Sequence, residues 1–295
     1  MLKNSSPQYF YTQDGTRIFY NTNFSKGEHN HSLPVLIFNY GLVCNHQHWQ
    51  EQIPFFEEQG YSILLHDYRC HYSSSGELDL QNCHFIQMAN DLNELVESLE
   101  LEHLVLLGHS MGVNISLEYA SIFPSKVRGL ILISGTVLPP QDIMFDSNMT
   151  DVLFPYIMHF SKTYPEIFQK IWKTSYMNPI IRTMVYRGGF NTTKVSEEFV
   201  QVYMKKISEL PQDILLHLLL EMKNHNIINR LESVQAKTLV MGGDKDKVIP
   251  YYLQVLLHQK IPNSQLYNIK EGSHVPQVDF PESVNERIHT FLKEV

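Results

Sequence analysis

Short apolar runs alternate with segments of helical periodicity along most of this chain. An aromatic and β-branched hairpin is predicted over residues 8–24, around a turn at Asp14-Gly15. The predicted strands that follow cover residues 33–39, 61–67, 104–109, 127–134, 237–242 and 265–269, and the predicted helices cover residues 48–59, 84–99, 113–123 and 282–294. This alternation predicts an α/β fold, with a mostly parallel central sheet that carries helices on both faces.

The alternation stops in the middle of the chain. Residues 137–230 have helical tendencies instead and are rich in aromatic residues and Met. We interpret this segment as a helical cap inserted into a core domain of residues 1–136 and 231–295. Most of the apolar side chains in the cap are expected to hold it on the sheet, and the others to line an apolar acyl pocket.

One predicted strand ends in a motif that carries chemistry. Residues 108–112 read Gly-His-Ser-Met-Gly, after an apolar strand and before a helix. A serine on such a sharp strand-to-helix turn needs small neighbours, and Gly108 and Gly112 provide the space. The start of the helix also directs free amide hydrogens and a positive dipole end towards Ser110, which suits an oxyanion. The motif predicts a nucleophile elbow.

A serine nucleophile needs a general base and a carboxylate that orients this base. Around such an elbow the order along the chain is serine, acid, histidine, each after a strand. His274 follows the predicted strand 265–269 and is the candidate base. Asp244 and Asp246 both follow the strand before it, so the residues alone leave the acid open between them.

Taken in order, these motifs resemble those of the α/β-hydrolase fold superfamily, and the resemblance covers nearly the whole chain. The acid turn of that superfamily often reads Gly-x-x-Asp, with Pro four residues later. Gly243, Asp246 and Pro250 match this spacing. The resemblance therefore implies a capped, esterase-like serine hydrolase with Ser110, Asp246 and His274 as its catalytic residues.

The resemblance also implies an oxyanion hole and one departure from the usual pattern. Members commonly carry His-Gly and an apolar residue where this chain has Tyr-Gly-Leu at residues 40–42, so the backbone N–H groups of Leu42 and Met111 are the predicted donors. Residues 67–73 correspond to a loop that commonly has glycine where this chain has Cys70 and Tyr72. This loop must form its turn without the freedom of glycine, or form a different turn.

Composition limits the choice of partners. The chain has 43% hydrophobic and 18% charged residues, as in soluble globular proteins, and a net charge of −8. This charge argues against nucleic acid and against an anionic membrane surface as partners. Neither a secretory leader nor a membrane-spanning stretch is visible, which predicts a cytoplasmic protein. The three cysteines are expected to be free thiols. No cofactor or metal is predicted, and the oligomeric state stays open.

The predicted function is hydrolysis of a carboxylic ester-type bond through an acyl-enzyme on Ser110. The apolar cap favours a small apolar acyl substrate in a lipase-like site: a medium-chain ester, an acylglycerol or a lactone. One alternative is a carbon-carbon bond hydrolase, which would need Arg182 or Arg187 directed into the cavity. A second is a small-molecule receptor of the same fold without turnover. The cap argues against a perhydrolase or haloperoxidase, which usually has little or no cap.

Overall fold

A single mixed sheet forms the centre of the protein. The computed structural model describes residues 2, 7–42, 44–74, 79–139 and 149–295, without the side chains of residues 149–151. Its strands are β1 (Gln8–Tyr11), β2 (Arg17–Thr22), β3 (Val35–Asn39), β4 (Ile63–His66), β5 (Leu104–His109), β6 (Val127–Ile133), β7 (Lys237–Gly243) and β8 (Ser264–Ile269). In this described part they form one eight-stranded sheet in the order β1-β2-β4-β3-β5-β6-β7-β8.

The pairing of the strands confirms the predicted fold class. The hairpin β1–β2 is antiparallel and joins β4 at one end of the sheet. All other neighbours, from β4 to β8, are parallel. The carboxyl ends of β3, β5, β7 and β8 therefore meet at one edge of the sheet, where α/β folds bind their ligands.

The parallel strands are apolar on both faces because helices cover both. On β3, Val35 and Ile37 belong to one hydrophobic core, while Leu36 and Phe38 belong to the other. Neighbouring residues of β5 and β6 alternate in the same way. The continuous apolar runs in the sequence are thus two buried faces of one sheet.

The helices are α1 (Gln52–Glu58), α2 (Phe85–Ser98), α3 (Met111–Ile122), α4 (Met149–Thr163), α5 (Pro165–Thr174), α6 (Pro179–Gly189), α7 (Glu197–Ile207), α8 (Gln212–Asn224), α9 (Tyr252–Lys260), α10 (Pro276–Asp279) and α11 (Pro281–Leu292). Helices α2, α3 and α9 bury side chains such as Leu92, Leu117 and Leu257 against one face of the sheet. Helices α1 and α11 bury Phe56 and Ile288 against the other. Within the described residues, no helix is both long and apolar enough to cross a bilayer.

The predicted helix over residues 48–59 was wrong as one continuous element. The segment holds a 3-10 turn at His46–Trp49 and then the separate helix α1. Pro54 explains the later start, because proline has no N–H and is tolerated only in the first turn of a helix. The sequence prediction also missed α9, whose buried side chains show little periodicity.

Between β6 and β7 the structure describes five helices, α4 to α8. Residues 140–148, which belong to the predicted cap, lie outside the described residues. The end of this segment is fixed to α3: His225 Nε2 lies 2.7 Å from Glu118 Oε1, and Arg230 forms an ion pair with the same carboxylate. The Glu118 side chain is fully buried.

Candidate active site

Ser110 lies at the turn between β5 and α3 in a conformation that L-residues rarely adopt. Its backbone angles are φ 54° and ψ −120°. A Cβ on Gly108 would lie 2.6 Å from the Gly112 carbonyl oxygen, and a Cβ on Gly112 would lie 2.2 Å from the Asn39 carbonyl oxygen. Neither position can therefore hold a larger residue without moving the backbone. The elbow predicted from residues 108–112 has the local geometry that its glycines require.

The structure brings Ser110, His274 and Asp246 together in one hydrogen-bonded chain. His274 Nε2 lies 3.1 Å from Ser110 Oγ, and His274 Nδ1 lies 3.0 Å from Asp246 Oδ2. The other oxygen of Asp246 accepts the N–H groups of Val248 and Ile249, each at 2.8 Å. The carboxylate is thereby held with one oxygen towards the imidazole, which fixes the position of His274 relative to the serine.

Asp244 has a different position. Its Oδ1 accepts the backbone N–H of Glu271 at 2.6 Å, which links the turn after β7 to the turn after β8. The hydrogen bond to His274 comes from Asp246 instead. The geometry therefore separates the two candidate acids that the residues alone had left open.

The backbone of His274 is held by His109, a residue that the sequence analysis did not single out. His109 Nε2 lies 2.9 Å from the His274 carbonyl oxygen, and the two rings lie 5.0 Å apart. Burial, with smaller contributions from His274 and His48, keeps the pKa of His109 well below its usual value. The neutral ring can donate from Nε2 to the carbonyl without adding a positive charge beside His274.

Two backbone amides lie beside the serine. Met111 is the first residue of α3, so its N–H has no acceptor within the helix. Leu42 borders the same cavity as Ser110, and a Cβ on Gly41 would lie 3.0 Å from the Ser110 Cβ. Among the described residues, neither the Leu42 nor the Met111 N–H donates to another protein group. Both predicted oxyanion donors therefore belong to residues beside Ser110 and have no protein acceptor among the described residues.

Tyr40, which stands where relatives commonly have histidine, is part of a buried polar cluster. Its hydroxyl lies 3.4 Å from Asp67 Oδ1, and the Tyr68 hydroxyl donates to the Tyr40 carbonyl oxygen at 2.8 Å. Burial raises the pKa of Asp67 to about 6. The cluster ties the backbone before Leu42 to the loop at residues 67–73.

That loop adopts positive φ angles without glycine. Cys70 has φ 65° and Tyr72 has φ 38°, at the two positions where relatives commonly have glycine. Both residues therefore have a left-handed backbone conformation, which their side chains make less favourable than glycine would.

A small cavity opens beside the serine. Its volume is about 110 Å³. The residues around it are Leu42, Cys44, His48, His109, Ser110, Tyr203, Leu219, Met222, Val248, Ile249 and His274. Tyr203 on α7 and Met222 on α8 come from the segment between β6 and β7, so that segment contributes directly to the cavity wall.

Burial keeps two polar groups of the cavity wall, His48 and Cys44, uncharged at neutral pH. The His48 ring stacks on Tyr203 with its centroid 4.8 Å away, and burial lowers the pKa of His48 to about 3. Cys44 Sγ lies 3.1 Å from the Tyr203 hydroxyl oxygen, and burial raises the pKa of this thiol to about 12. Cys44 is therefore protonated at neutral pH and is a poor nucleophile.

Two other candidates from the sequence lie elsewhere: Arg182 and Arg187 do not border this cavity. In the part of the chain that the structure describes, no group of three or more His, Cys, Asp or Glu residues is placed to hold a metal ion.

Comparison with known proteins places this geometry among hydrolases. A family model of the α/β hydrolase fold matches residues 34–281. A bifunctional esterase/perhydrolase of Acinetobacter calcoaceticus is 24% identical over 297 residues, which cover 97% of this chain and 99% of that protein. An esterase structure from Exiguobacterium antarcticum has a TM-score of 0.78 at 21% identity, covering 98% of this chain and all (100%) of that chain.

A second solved structure shows the same fold. A bromoperoxidase from Bacillus anthracis has a TM-score of 0.75 at 23% identity and covers 98% of this chain and 100% of its own. The two structural relatives share the fold with this chain, but one is named an esterase and the other a bromoperoxidase.

Proposed function

We propose, since this chain belongs to the α/β hydrolase fold family, that it is a serine hydrolase of carboxylic ester-type bonds with Ser110 as its nucleophile. The observation that carries the proposal is the hydrogen-bonded chain from Ser110 Oγ through His274 to Asp246. These three residues provide the nucleophile, the base and the orienting carboxylate at hydrogen-bond distance before any substrate binds.

The proposed mechanism has two halves. In the first, His274 Nε2 takes the proton of Ser110 as Oγ attacks the ester carbonyl, and the amides of Leu42 and Met111 stabilise the oxyanion. His274 then gives the proton to the leaving alcohol. In the second half, His274 activates a water molecule that attacks the acyl-enzyme, and the acid is released as Ser110 recovers its proton. Asp246 stabilises the imidazolium in both halves.

The size of the cavity supports a shorter acyl group than the medium chain predicted from the sequence. A cavity of about 150 Å³ holds one benzene molecule. The cavity beside Ser110 measures about 110 Å³. We therefore infer an acyl group of about four or five non-hydrogen atoms, in line with that comparison.

We also propose that residues 137–230 act as the cap, with residues 1–136 and 231–295 as the core. The support is that Tyr203 and Met222, from the segment between β6 and β7, border the cavity together with Ser110. In this arrangement the cap sets the shape of the acyl pocket. We propose the cytoplasm as the compartment, supported by three free thiols.

The alternative reactions have unequal support. A carbon-carbon bond hydrolase loses its main support, because neither Arg182 nor Arg187 borders the cavity. Perhydrolysis gains support, because a relative named as a bifunctional esterase/perhydrolase aligns over 97% of this chain. The length of the segment after β6 therefore does not exclude it. In that reaction hydrogen peroxide replaces water in the attack on the acyl-enzyme.

The proposal is tested by steady-state hydrolysis of p-nitrophenyl esters from acetate to palmitate, with wild type and Ser110→Ala in parallel. We expect saturable turnover with an optimum at acetate to butyrate, and none with Ser110→Ala above the uncatalysed rate. Peracid formation from the same esters in hydrogen peroxide measures the second candidate. Ligand binding with no more than one turnover would indicate a receptor and contradict the proposal.

A further inference from the structure

Three consecutive helices, α4, α5 and α6, expose large apolar side chains. Seventeen large hydrophobic residues are exposed in the described part of the chain, and ten of them lie between residues 152 and 184. These ten are Val152, Leu153, Tyr156, Ile157, Tyr164, Ile167, Ile171, Met177, Ile180 and Met184. We call this set the cap patch. So many large apolar groups on one short segment mark an interaction surface.

The spacing of the cap patch follows the helices. On α5, Ile167 and Ile171 are one turn apart, with 53% and 48% of each residue exposed. On α6, Ile180 and Met184 are also one turn apart, at 71% and 69%. Since residues four apart lie on one side of a helix, each helix presents an apolar stripe to the outside. Helix α5 buries none of its residues completely.

The charge of this segment is opposite to that of the whole chain. Residues 149–189 contain five Lys or Arg and two Asp or Glu, a net charge of +3 in a chain of −8. The five cations are Lys162, Lys170, Lys173, Arg182 and Arg187. Negative charge is thus concentrated on the rest of the chain.

The five cations of α4 to α6 differ in their pairing from Lys126 and Lys260 elsewhere on the surface. Lys126 pairs with Glu97 at 3.0 Å, and Lys260 pairs with Glu232 at 3.2 Å. Within the described residues, none of the five cations of α4 to α6 forms an ion pair. No carboxylate of the described residues therefore pairs with these five cations.

We propose that the cap patch docks on an anionic phospholipid surface. Exposed apolar stripes flanked by lysine and arginine match a membrane interface, where apolar groups enter the acyl boundary and cations meet lipid phosphates. The net charge of −8 argued against an anionic membrane surface. A sum over the chain does not report how the charge is distributed, and the proposal depends on that distribution.

A second copy of the chain fits this surface less well. A symmetric dimer would place the same patch on both sides of the interface. The five cations of each copy would then lie near those of the other, with only two acidic residues per copy to balance them. A lipid surface provides both the apolar phase and the balancing charge.

The docked helix connects to the proposed active site. Trp172 on α5 donates its Nε1–H to the Leu210 carbonyl oxygen at 2.7 Å, just before α8. Helix α8 contributes Met222 to the cavity beside Ser110. Docking of α5 would therefore place a surface-bound helix in direct contact with the start of the helix that carries Met222.

The test is flotation of the full chain with phosphatidylcholine vesicles and with vesicles that also contain phosphatidylglycerol. We expect flotation with the anionic vesicles, and less of it at high salt. Ile171→Glu and Ile180→Glu should each weaken binding about tenfold or more, since burying one isoleucine has an effect of that size. Ile86→Glu is the matched control, because Ile86 is 45% exposed outside the patch. It should bind as wild type does.

Three results would overturn the proposal. The first is no flotation with anionic vesicles, and the second is a loss of vesicle binding in Ile86→Glu equal to that in Ile171→Glu. The third is a wild type that does not bind vesicles but forms a dimer in solution, which Ile171→Glu separates. Circular dichroism of each variant establishes that it is folded. Because flotation and circular dichroism need no turnover, failure here is distinguishable from failure of the proposed hydrolase activity.

Discussion

Side chains at the carboxyl edge of the sheet are buried and hydrogen-bonded, whereas many apolar side chains on helices α4 to α6 are exposed. At the sheet edge, Ser110 is 9% and Asp246 is 7% exposed, and each forms a hydrogen bond with His274 from another part of the chain. On α6, Ile180 is 71% exposed. Chemistry at a serine needs groups fixed in advance, because reorganisation adds to the barrier. Docking needs apolar area left open for a partner.

At the sheet edge, two neighbouring aspartates test how much a fixed position contributes. Asp246→Asn should lower kcat for ester hydrolysis by about three to four powers of ten, because the imidazole loses its orienting carboxylate. Asp244→Asn should stay within about threefold of wild type, since Asp244 accepts a backbone N–H, an interaction that the amide oxygen of Asn can also accept. Steady-state kinetics on one soluble ester compares both. Equal losses would mean that the turn as a whole, and not the contact with His274, is what matters.

The same assay applies to the exposed side chains of helices α4 to α6. Ile171→Glu on α5 should leave the rate with a soluble ester within about threefold of wild type, because exposed substitutions change the folded state little. A loss as large as that of Asp246→Asn would break the distinction between the two regions.

Acid is expected to destabilise the sheet edge. Burial lowers the pKa of His46 to about 4, of His48 to about 3, of His66 to about 3 and of His71 to about 4. Below pH 6.5 the unfolded chain binds protons that these folded side chains do not, so stability falls as the pH falls, by about 1 kcal/mol per histidine per pH unit.

Asp67 acts in the opposite direction. Its folded-state pKa of about 6 exceeds its ordinary value, so protonation between pH 6 and 4 favours the folded state. The net expectation is a loss of several kcal/mol between pH 7.5 and 5.5, measured by urea unfolding. His71→Asn should reduce this loss, and His31→Asn, at an exposed position, should not. Equal stability at both pH values would contradict the account.

The acyl pocket can be enlarged at one position. Tyr203→Ala removes a ring from the cavity wall, so the ratio of kcat/KM for hexanoate to that for acetate should rise about tenfold. Val202→Ala, on the exposed side of the same helix, is the control and should leave the ratio unchanged. An unchanged ratio in both variants would show that α7 does not set the acyl length.

The smallest effect is expected in the loop that keeps its turn without glycine. Cys70→Gly should stabilise the fold by up to about 1 kcal/mol, because glycine adopts a positive φ without steric cost. The φ of Ser73 is not positive, so Ser73→Gly should destabilise the fold by about 0.5 kcal/mol. Thermal unfolding measures both, and a destabilised Cys70→Gly would show that contacts of the side chain outweigh backbone strain.

The sheet was predictable because buried parallel strands leave continuous apolar runs, and the elbow because its two glycines are sterically required. The assignment of Asp246 depended on resemblance, since either aspartate is compatible with a turn. His109, His48 and Tyr203 were missed because a single buried histidine or tyrosine leaves no periodic signal. Their positions depend on contacts between distant residues, such as His109 with His274. The cap patch was missed because sequence periodicity shows an apolar stripe but not whether anything covers it.

The most direct measurement of the central claim is reaction with a fluorophosphonate, a serine-directed probe that mimics the attacked ester. Intact mass and peptide mapping give the number and position of the adducts. The account predicts one adduct, on Ser110, and none in Ser110→Ala. An adduct on another residue, or labelling of Ser110→Ala to the same extent as wild type, would contradict it.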